Sequence, residues 1–388
     1  MIRKTLASLV LLMVMMAMLV GCAPAATPEP AAPAEPAAPA EPAAPAEPAA
    51  PAEPAAPAQP EAKTYKVALI ASLLGDKSFM DSAAAGIKLV NENMPNVETK
   101  IIENADVGEQ QLAARAMAEQ GYDLVVTIGY GSADWTDEIA AAFPDTKFAI
   151  VDATLAQPNG TGLVFREDEG SFTVGMVAAM LTKTKKVGYI GGMDVPLLRR
   201  FELGYIQGVK YVDPSIEVVS GWIGDFNDAN KGKELALTQY QEGVDIIFAA
   251  AGKAGEGVLN ASKERGLYSI GVDSDQDYLY PGHVITSMMK RVDLSIYGAV
   301  QALVAGELSG GTKVFGLKED GVGMCYLYDI DTEFLDNGPA DMAAKMKDEV
   351  IPAVKTAVEK IKSGEMCVKD YMEVFPCENP APEGGMGK

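Results

Sequence analysis

The chain has 388 residues, with 54 Asp and Glu against 32 Lys and Arg, a formal charge of −22 and a single histidine. An acidic balance of this size argues against nucleic-acid partners, which need basic surface, and says nothing about fold. One histidine supplies neither a His-based triad nor a polyhistidine metal site.

The chain opens with Arg3 and Lys4, followed by an apolar run from Leu6 to Val20. That run is short for a membrane span and has the layout of a secretory leader. It ends in Leu19-Val20-Gly21-Cys22, which reads as a lipobox with cleavage before Cys22 and a diacylglyceryl group on its thiol. Cleavage takes the charge to −24, because Arg3 and Lys4 leave and no acid does. An AAPAEP repeat follows from Ala31 to Pro54. Proline at this density buries no core and favours an extended stalk of about 3.1 Å per residue, a spacer between a lipid surface and a folded head.

Beyond Pro60, short apolar runs alternate with helical patterns. Strands are expected at Val67–Ala71, Val97–Ile102, Leu124–Ile128, Phe148–Val151, Val187–Ile190, Ile216–Val219, Ile246–Ala250, Ser269–Val272, Val284–Ser287 and Val314–Leu317. Helices include Gln110–Gln120, Asp134–Ala142, Ser171–Leu181, Lys231–Gln241 and Val292–Gly306, with a long amphipathic one over Ala340–Lys362. This alternation predicts an α/β fold of doubly wound parallel sheets, and the strand count exceeds one ordinary open sheet.

One arrangement occurs twice: a strand, a loop, an aromatic and a helix. Val67–Ala71 leads to Phe79, and Val187–Ile190 leads to Phe201. Loops at the carboxyl ends of parallel strands are where such sheets bind ligands. Two lobes, each offering one aromatic face to a shared cleft, are the expected plan. A plainer but less favoured reading makes Phe79 and Phe201 helix-start core residues.

Enzyme signals are weak. His283 reads as a structural residue at a strand start. Asp273-Ser274-Asp275-Gln276-Asp277 is no EF-hand, since Tyr278 stands where Gly belongs and Val284 where the closing Glu belongs. Gly252-Lys-Ala-Gly255-Glu-Gly257 follows a strand but has neither the dinucleotide nor the Walker spacing, so its glycines suit close backbone approach to a ligand. No catalytic, metal or cofactor constellation is expected. Cys367 and Cys377 are close enough to pair, in a compartment that permits disulfides.

The segments GDKSF, FREDEGSFTVGMVAA, KVGYIGGMDVPLLRRFELGYIQG, GDFNDANKGKELA and IGVDSDQDYLYPGHVITSMMKRVD, in this order, resemble the basic membrane protein family. These are lipid-anchored substrate-binding components of ABC importers, purine-nucleoside receptors among them. The resemblance covers roughly Tyr65 to Gly364. It implies a type I periplasmic-binding-protein fold of two lobes that close on a small molecule and deliver it to a permease. After the leader at 1–21 and the stalk at 22–63, the expected layout is a first lobe at 64–163 and a second at 164–286. The chain then returns to the first lobe at 287–318 and to the second, with a C-terminal helix, at 319–365, before a tail at 366–388. Hinges are expected near Asp152–Leu163 and Thr286–Arg291.

The resemblance also implies a site. Phe79 and Phe201 match the family aromatics, Asp134 the acid that meets the base, Asp273 and Lys290 the polar pair on the ribose, and Gly252 the backbone beside them. Ser72 lies in the first loop, which is shorter here and lacks the family's Asp. Met80 stands where nucleoside receptors usually carry Asn. A thioether does not read the donors and acceptors of a base edge, so weak discrimination among bases is expected. Asp134 also fits a simple helix N-terminal acid, Asp273 and Lys290 also fit a pair with each other, and Trp135 is an alternative stacking residue.

The expected protein is thus a non-enzymatic, lipid-anchored monomer on the extracytoplasmic face, binding a nucleoside-like molecule. A sensing or adhesion lipoprotein, or a binder of sugars, is the alternative.

Overall fold

A computed structural model describes residues 63–328, 330 and 333–387. The leader, Cys22 and the stalk as far as residue 62 lie outside these residues. Two six-stranded sheets carry the fold. The first is built from β1 (Tyr65–Ala71), β2 (Val97–Glu103), β3 (Leu124–Ile128), β4 (Lys147–Val151) and β5 (Gly160–Phe165). Between them come helices α1 (Phe79–Asn93), α2 (Val107–Glu119) and α3 (Ala133–Ala142).

The chain then enters the second sheet through α4 (Glu167–Leu181). There β6 (Lys186–Gly191), β7 (Glu217–Trp222), β8 (Ile246–Ala250), β9 (Tyr268–Asp273) and β10 (Val284–Lys290) enclose α5 (Pro196–Val212), α6 (Ala229–Gln241) and α7 (Gly255–Arg265). It returns to the first lobe as α8 (Val292–Val304), packed on α1, and β11 (Gly311–Phe315), paired with β5. It finishes in the second lobe with β12 (Val322–Met324), α9 (Glu333–Asn337), α10 (Ala340–Lys345) and α11 (Ile351–Lys362).

The strand orders are β11-β5-β4-β3-β1-β2 and β12-β10-β9-β8-β6-β7. All pairings are parallel except β10 with β12. Parallel strands covered on both faces read as continuous apolar runs, and β1 shows why. Val67, Leu69 and Ala71 enter one core, while Ala68 and Ile70 enter another on the opposite face. Each sheet is therefore the middle layer of three.

The lobe boundaries need adjusting. Asp152–Leu163, expected as a hinge, lies within the first sheet, between and along β4 and β5. The chain crosses after Phe165, after Lys290 and after Phe315. The expected boundary at residue 286 cuts β10, which runs on to Lys290. The strand β5 is absent from the expected set because Gly160, Thr161 and Gly162 interrupt its apolar run; a Cβ at Gly162 would stand 2.5 Å from the Ala153 carbonyl oxygen.

The long C-terminal helix is continuous but not uniform. A π-helical turn at Met346–Val350 joins α10 to α11, just ahead of Pro352. Proline has no N–H to donate back to the preceding turn, and the wider turn absorbs that break.

Candidate functional site

The loop after β1 is fixed by its own carboxylates. Asp76 accepts from the N–H groups of Ser78, Met80 and Asp81, at 3.0, 3.0 and 3.1 Å. Asp81 reaches back to the N–H of Gly75 and of Lys77, at 2.7 and 2.8 Å. Gly75 and Lys77 both take positive φ, 87° and 53°, so the turn is tight. Its effect is to set Phe79 as the first residue of α1, half-buried and aimed into a cavity of about 260 Å³. From the other lobe comes Phe201. The helix α5 begins at Pro196, earlier than the sequence suggests, so Phe201 stands in its second turn.

Lys290, the last residue of β10, lies close to both aromatics. Its Nζ is 4.9 Å from the Phe79 ring centre, 5.5 Å from that of Phe201 and 5.1 Å from that of Phe165. Asp152 holds it at 2.7 Å and Glu167 at 3.0 Å. Burial opposes the ammonium, but Asp152, Glu167 and Asp273 together hold its pKa above the ordinary lysine value. Burial also raises the Asp152 carboxyl, and the nearby lysine pulls it back.

Asp273 does not pair with Lys290. It accepts a short hydrogen bond from the Ser78 hydroxyl across the cleft. Burial pushes its pKa up to about 7, against the opposing pull of Lys290 and Ser78. Its backbone is left-handed, with φ of 65°, and that of Asp152 matches it at 67°. Other bonds also span the cleft: Lys77 Nζ to Glu256 at 3.2 Å, and Gln276 Nε2 to the Lys77 carbonyl at 2.9 Å.

Of the residues expected at the site, Ser72, Phe79, Met80, Phe201, Gly252, Asp273 and Lys290 line this one cavity. Asp134 does not. It lies exposed in the first turn of α3, beyond the lining, where a carboxylate complements the helix dipole. Trp135, the alternative stacking residue, is buried in the outer core of the first lobe. Trp222 ends β7 beneath the Arg199 guanidinium, at 4.5 Å. His283 bonds through Nδ1 to the Leu267 carbonyl, at 3.0 Å. Cys367 and Cys377 form a disulfide, and Cys325 is free and buried.

Sequence reasoning missed Asp152, Tyr130 and Phe226, all of which line the cavity. A signal for Asp152 existed: Val151-Asp152 closes the apolar run of β4, with Asp152 the residue after the strand, as Val272-Asp273 closes that of β9. Among the described residues no cluster of acids, histidines or cysteines is arranged to hold a metal ion, and no helix is long and apolar enough to cross a membrane.

Two α/β lobes with an aromatic-walled, mostly apolar cavity between them have the architecture of a solute-binding protein. The chain belongs to the Bmp family, described as ABC transporter substrate-binding protein PnrA-like, whose family model matches residues 64–370. It is 37% identical over 272 residues to basic membrane protein D of Borreliella burgdorferi, covering 68% of this chain and 79% of that one. It is 33% identical over 314 residues to the CD4+ T-cell-stimulating antigen of Listeria monocytogenes, covering 74% and 85%. A solved ABC transporter solute-binding protein from Aeropyrum pernix superposes with a TM-score of 0.69 at 28% identity, over 78% of this chain and 92% of that one. One from Conexibacter woesei, at 24% identity and a TM-score of 0.64, shares the fold. The family is one of substrate-binding proteins and not of enzymes, and it implies a small-molecule ligand and a permease partner.

Proposed function

We propose that this protein captures a nucleoside-like molecule, a flat ring on a hydroxylated sugar, and presents it as a monomer to an ABC permease. The observation that carries the reading is the placing of Phe79 and Phe201, one from each lobe, on a single cavity that also contains Asp273 and Lys290. Two aromatic walls suit a planar ring, with stacking worth about 1–3 kcal/mol per aromatic. The carboxylate and the ammonium then bracket the sugar hydroxyls. Gly252, with φ of 54°, lets its backbone approach the same ligand. Ser72 and Met80 complete the wall beside Phe79, and Met80 makes the site tolerant of base identity. In this reading Cys22 carries the lipid, and the proline-rich segment lifts the head from the extracytoplasmic face of the membrane.

Titration calorimetry of residues 64–388 against nucleosides, free bases and pentoses tests it. Nucleosides are expected to bind, and free bases more weakly. Binding of pentoses alone would remove the stacking account and make this a sugar receptor.

A further inference from the structure

Behind the cavity, a row of buried ion pairs connects Lys290 to the C-terminal tail. Glu167 gives one carboxylate oxygen to Lys290 and the other to Arg200 Nη1, each at 3.0 Å. Arg200 Nε donates to Asp370 at 2.7 Å. None of these four side chains is more than 5% exposed. Only Lys290 among them lines the cavity.

Asp370 sits in the loop closed by the Cys367–Cys377 disulfide. That loop is built around its carboxylate, which accepts from the N–H groups of Met372, Val374 and Phe375, at 3.1, 2.9 and 3.3 Å. Phe375 lays its ring over Arg200 and Arg166, 5.2 and 4.7 Å from the guanidinium carbons. Gln207 on α5 clasps Lys369, accepting from its N–H at 2.8 Å and donating to its carbonyl at 2.9 Å.

We propose that this disulfide-closed loop is a positioning element for the solute site, fixing Lys290 through Asp370, Arg200 and Glu167. Away from water, each charge in such a row is held by its neighbours, and a change at one end is felt along it. Without Asp370, Arg200 keeps Glu167 as its carboxylate and draws it away from Lys290. The ammonium then loses one of the two carboxylate partners that hold it beside the aromatics. Opening the disulfide releases Asp370 by a different route and acts in the same direction. The inference rests on the reading of Lys290 as a ligand contact.

The test uses the full-length protein with adenosine and uridine as probes, together with the side-chain ammonium resonance of Lys290 in ¹⁵N-lysine-labelled protein without ligand. That resonance is identified by its loss in Lys290→Gln. Asp370→Asn, the double variant Cys367→Ser/Cys377→Ser and the milder Gln207→Ala are compared with wild type. In the first two, nucleoside affinity is expected to fall by about three- to thirty-fold, and the Lys290 resonance to shift or broaden. Gln207→Ala should move the resonance less, in the same direction. A lower melting temperature with affinity and resonance unchanged would show the loop to be structural only and overturn the proposal. If Asp370→Asn does not fold, an unmoved resonance in the double cysteine variant and in Gln207→Ala overturns it equally. If wild type binds neither nucleoside, the ligand reading fails, while the resonance still decides whether the loop positions Lys290.

Discussion

A buried ammonium is stable only where carboxylates surround it, and Lys290 meets that condition with Asp152 and Glu167. Of its ring neighbours, Phe165 and Phe201 are buried in the core, and Phe79, half-buried, is the one better placed to contribute affinity than stability. Phe79→Ala should weaken nucleoside binding by about five- to a hundred-fold, about 1–3 kcal/mol, with little change in melting temperature because the ring is half-buried at the cavity wall. Isothermal titration beside thermal melting checks both halves. Met80→Asn should sharpen the preference for purine nucleosides in a competition series, since an amide reads a base edge as a thioether does not. Asp273 carries a pH signature. Its folded pKa of about 7 exceeds the ordinary 3.8, so between these values the native state binds more protons than the unfolded one. Its contribution to stability therefore falls as pH rises from about 4 to about 7. Melting curves of Asp273→Asn should lose that share of the slope, and an identical slope would reject the assignment. At this scale, motifs located Phe79, Phe201, Asp273 and Lys290 because each stands at the carboxyl end of a strand or on the helix that follows one. Asp134 matched a family position but not the cavity, because a first-turn helix acid is favoured for its own sake. Asp152 was hidden by the expectation of a hinge where β4 leads into β5.

The two lobes repeat one arrangement of elements. The order β5-β4-β3-β1-β2 in the first sheet is matched by β10-β9-β8-β6-β7 in the second. The first strand of each leads to an aromatic-bearing helix, the third to a 3₁₀ turn opening at Tyr130 or Gly252, and the fourth to a left-handed Asp. Elements of regular apolar period were legible for this reason, with β3 and β8 as expected to the residue. What was not legible has fewer apolar residues than a strand normally shows: β5, with two glycines, and β12, three residues long. Glycine also governs the packing of α4 on α5. A Cβ on Gly204 would lie 2.2 Å from the Asp168 carbonyl oxygen, and one on Gly208 2.1 Å from that of Phe172. These are backbone atoms that cannot turn aside. Gly208→Ala is expected to cost about 1–3 kcal/mol, seen as a lower denaturant midpoint. An unchanged midpoint would mean that the two helices separate freely.

Three crossings of the chain, after Phe165, Lys290 and Phe315, join the lobes. Three neighbouring tethers allow bending and resist sliding, the geometry of hinge closure. If the proposed ligand drives that motion, small-angle scattering should give a smaller radius of gyration at saturation. An equal radius with and without nucleoside would place the binding event in an already closed cleft. The first and third of these crossings lie beside the ion pairs of Arg166, Asp168 and Glu169, and Glu169 accepts from the N–H of Leu317 at 2.8 Å. These two crossings are thereby fastened to each other by Glu169, away from the cavity.

The loop that sets Phe79 also reaches across the cleft, through Lys77 to Glu256 and through Ser78 to Asp273. A bond of this kind exists only while the lobes are together, so it slows departure and leaves encounter untouched. The Lys77–Glu256 pair is half open to water, so Glu256→Gln should speed release by about two- to five-fold in stopped-flow chase experiments, with the association rate unchanged. Screening weakens such a pair as salt rises. The dwell time of a bound solute is then expected to depend on its surroundings: the saltier the medium, the sooner the solute is let go.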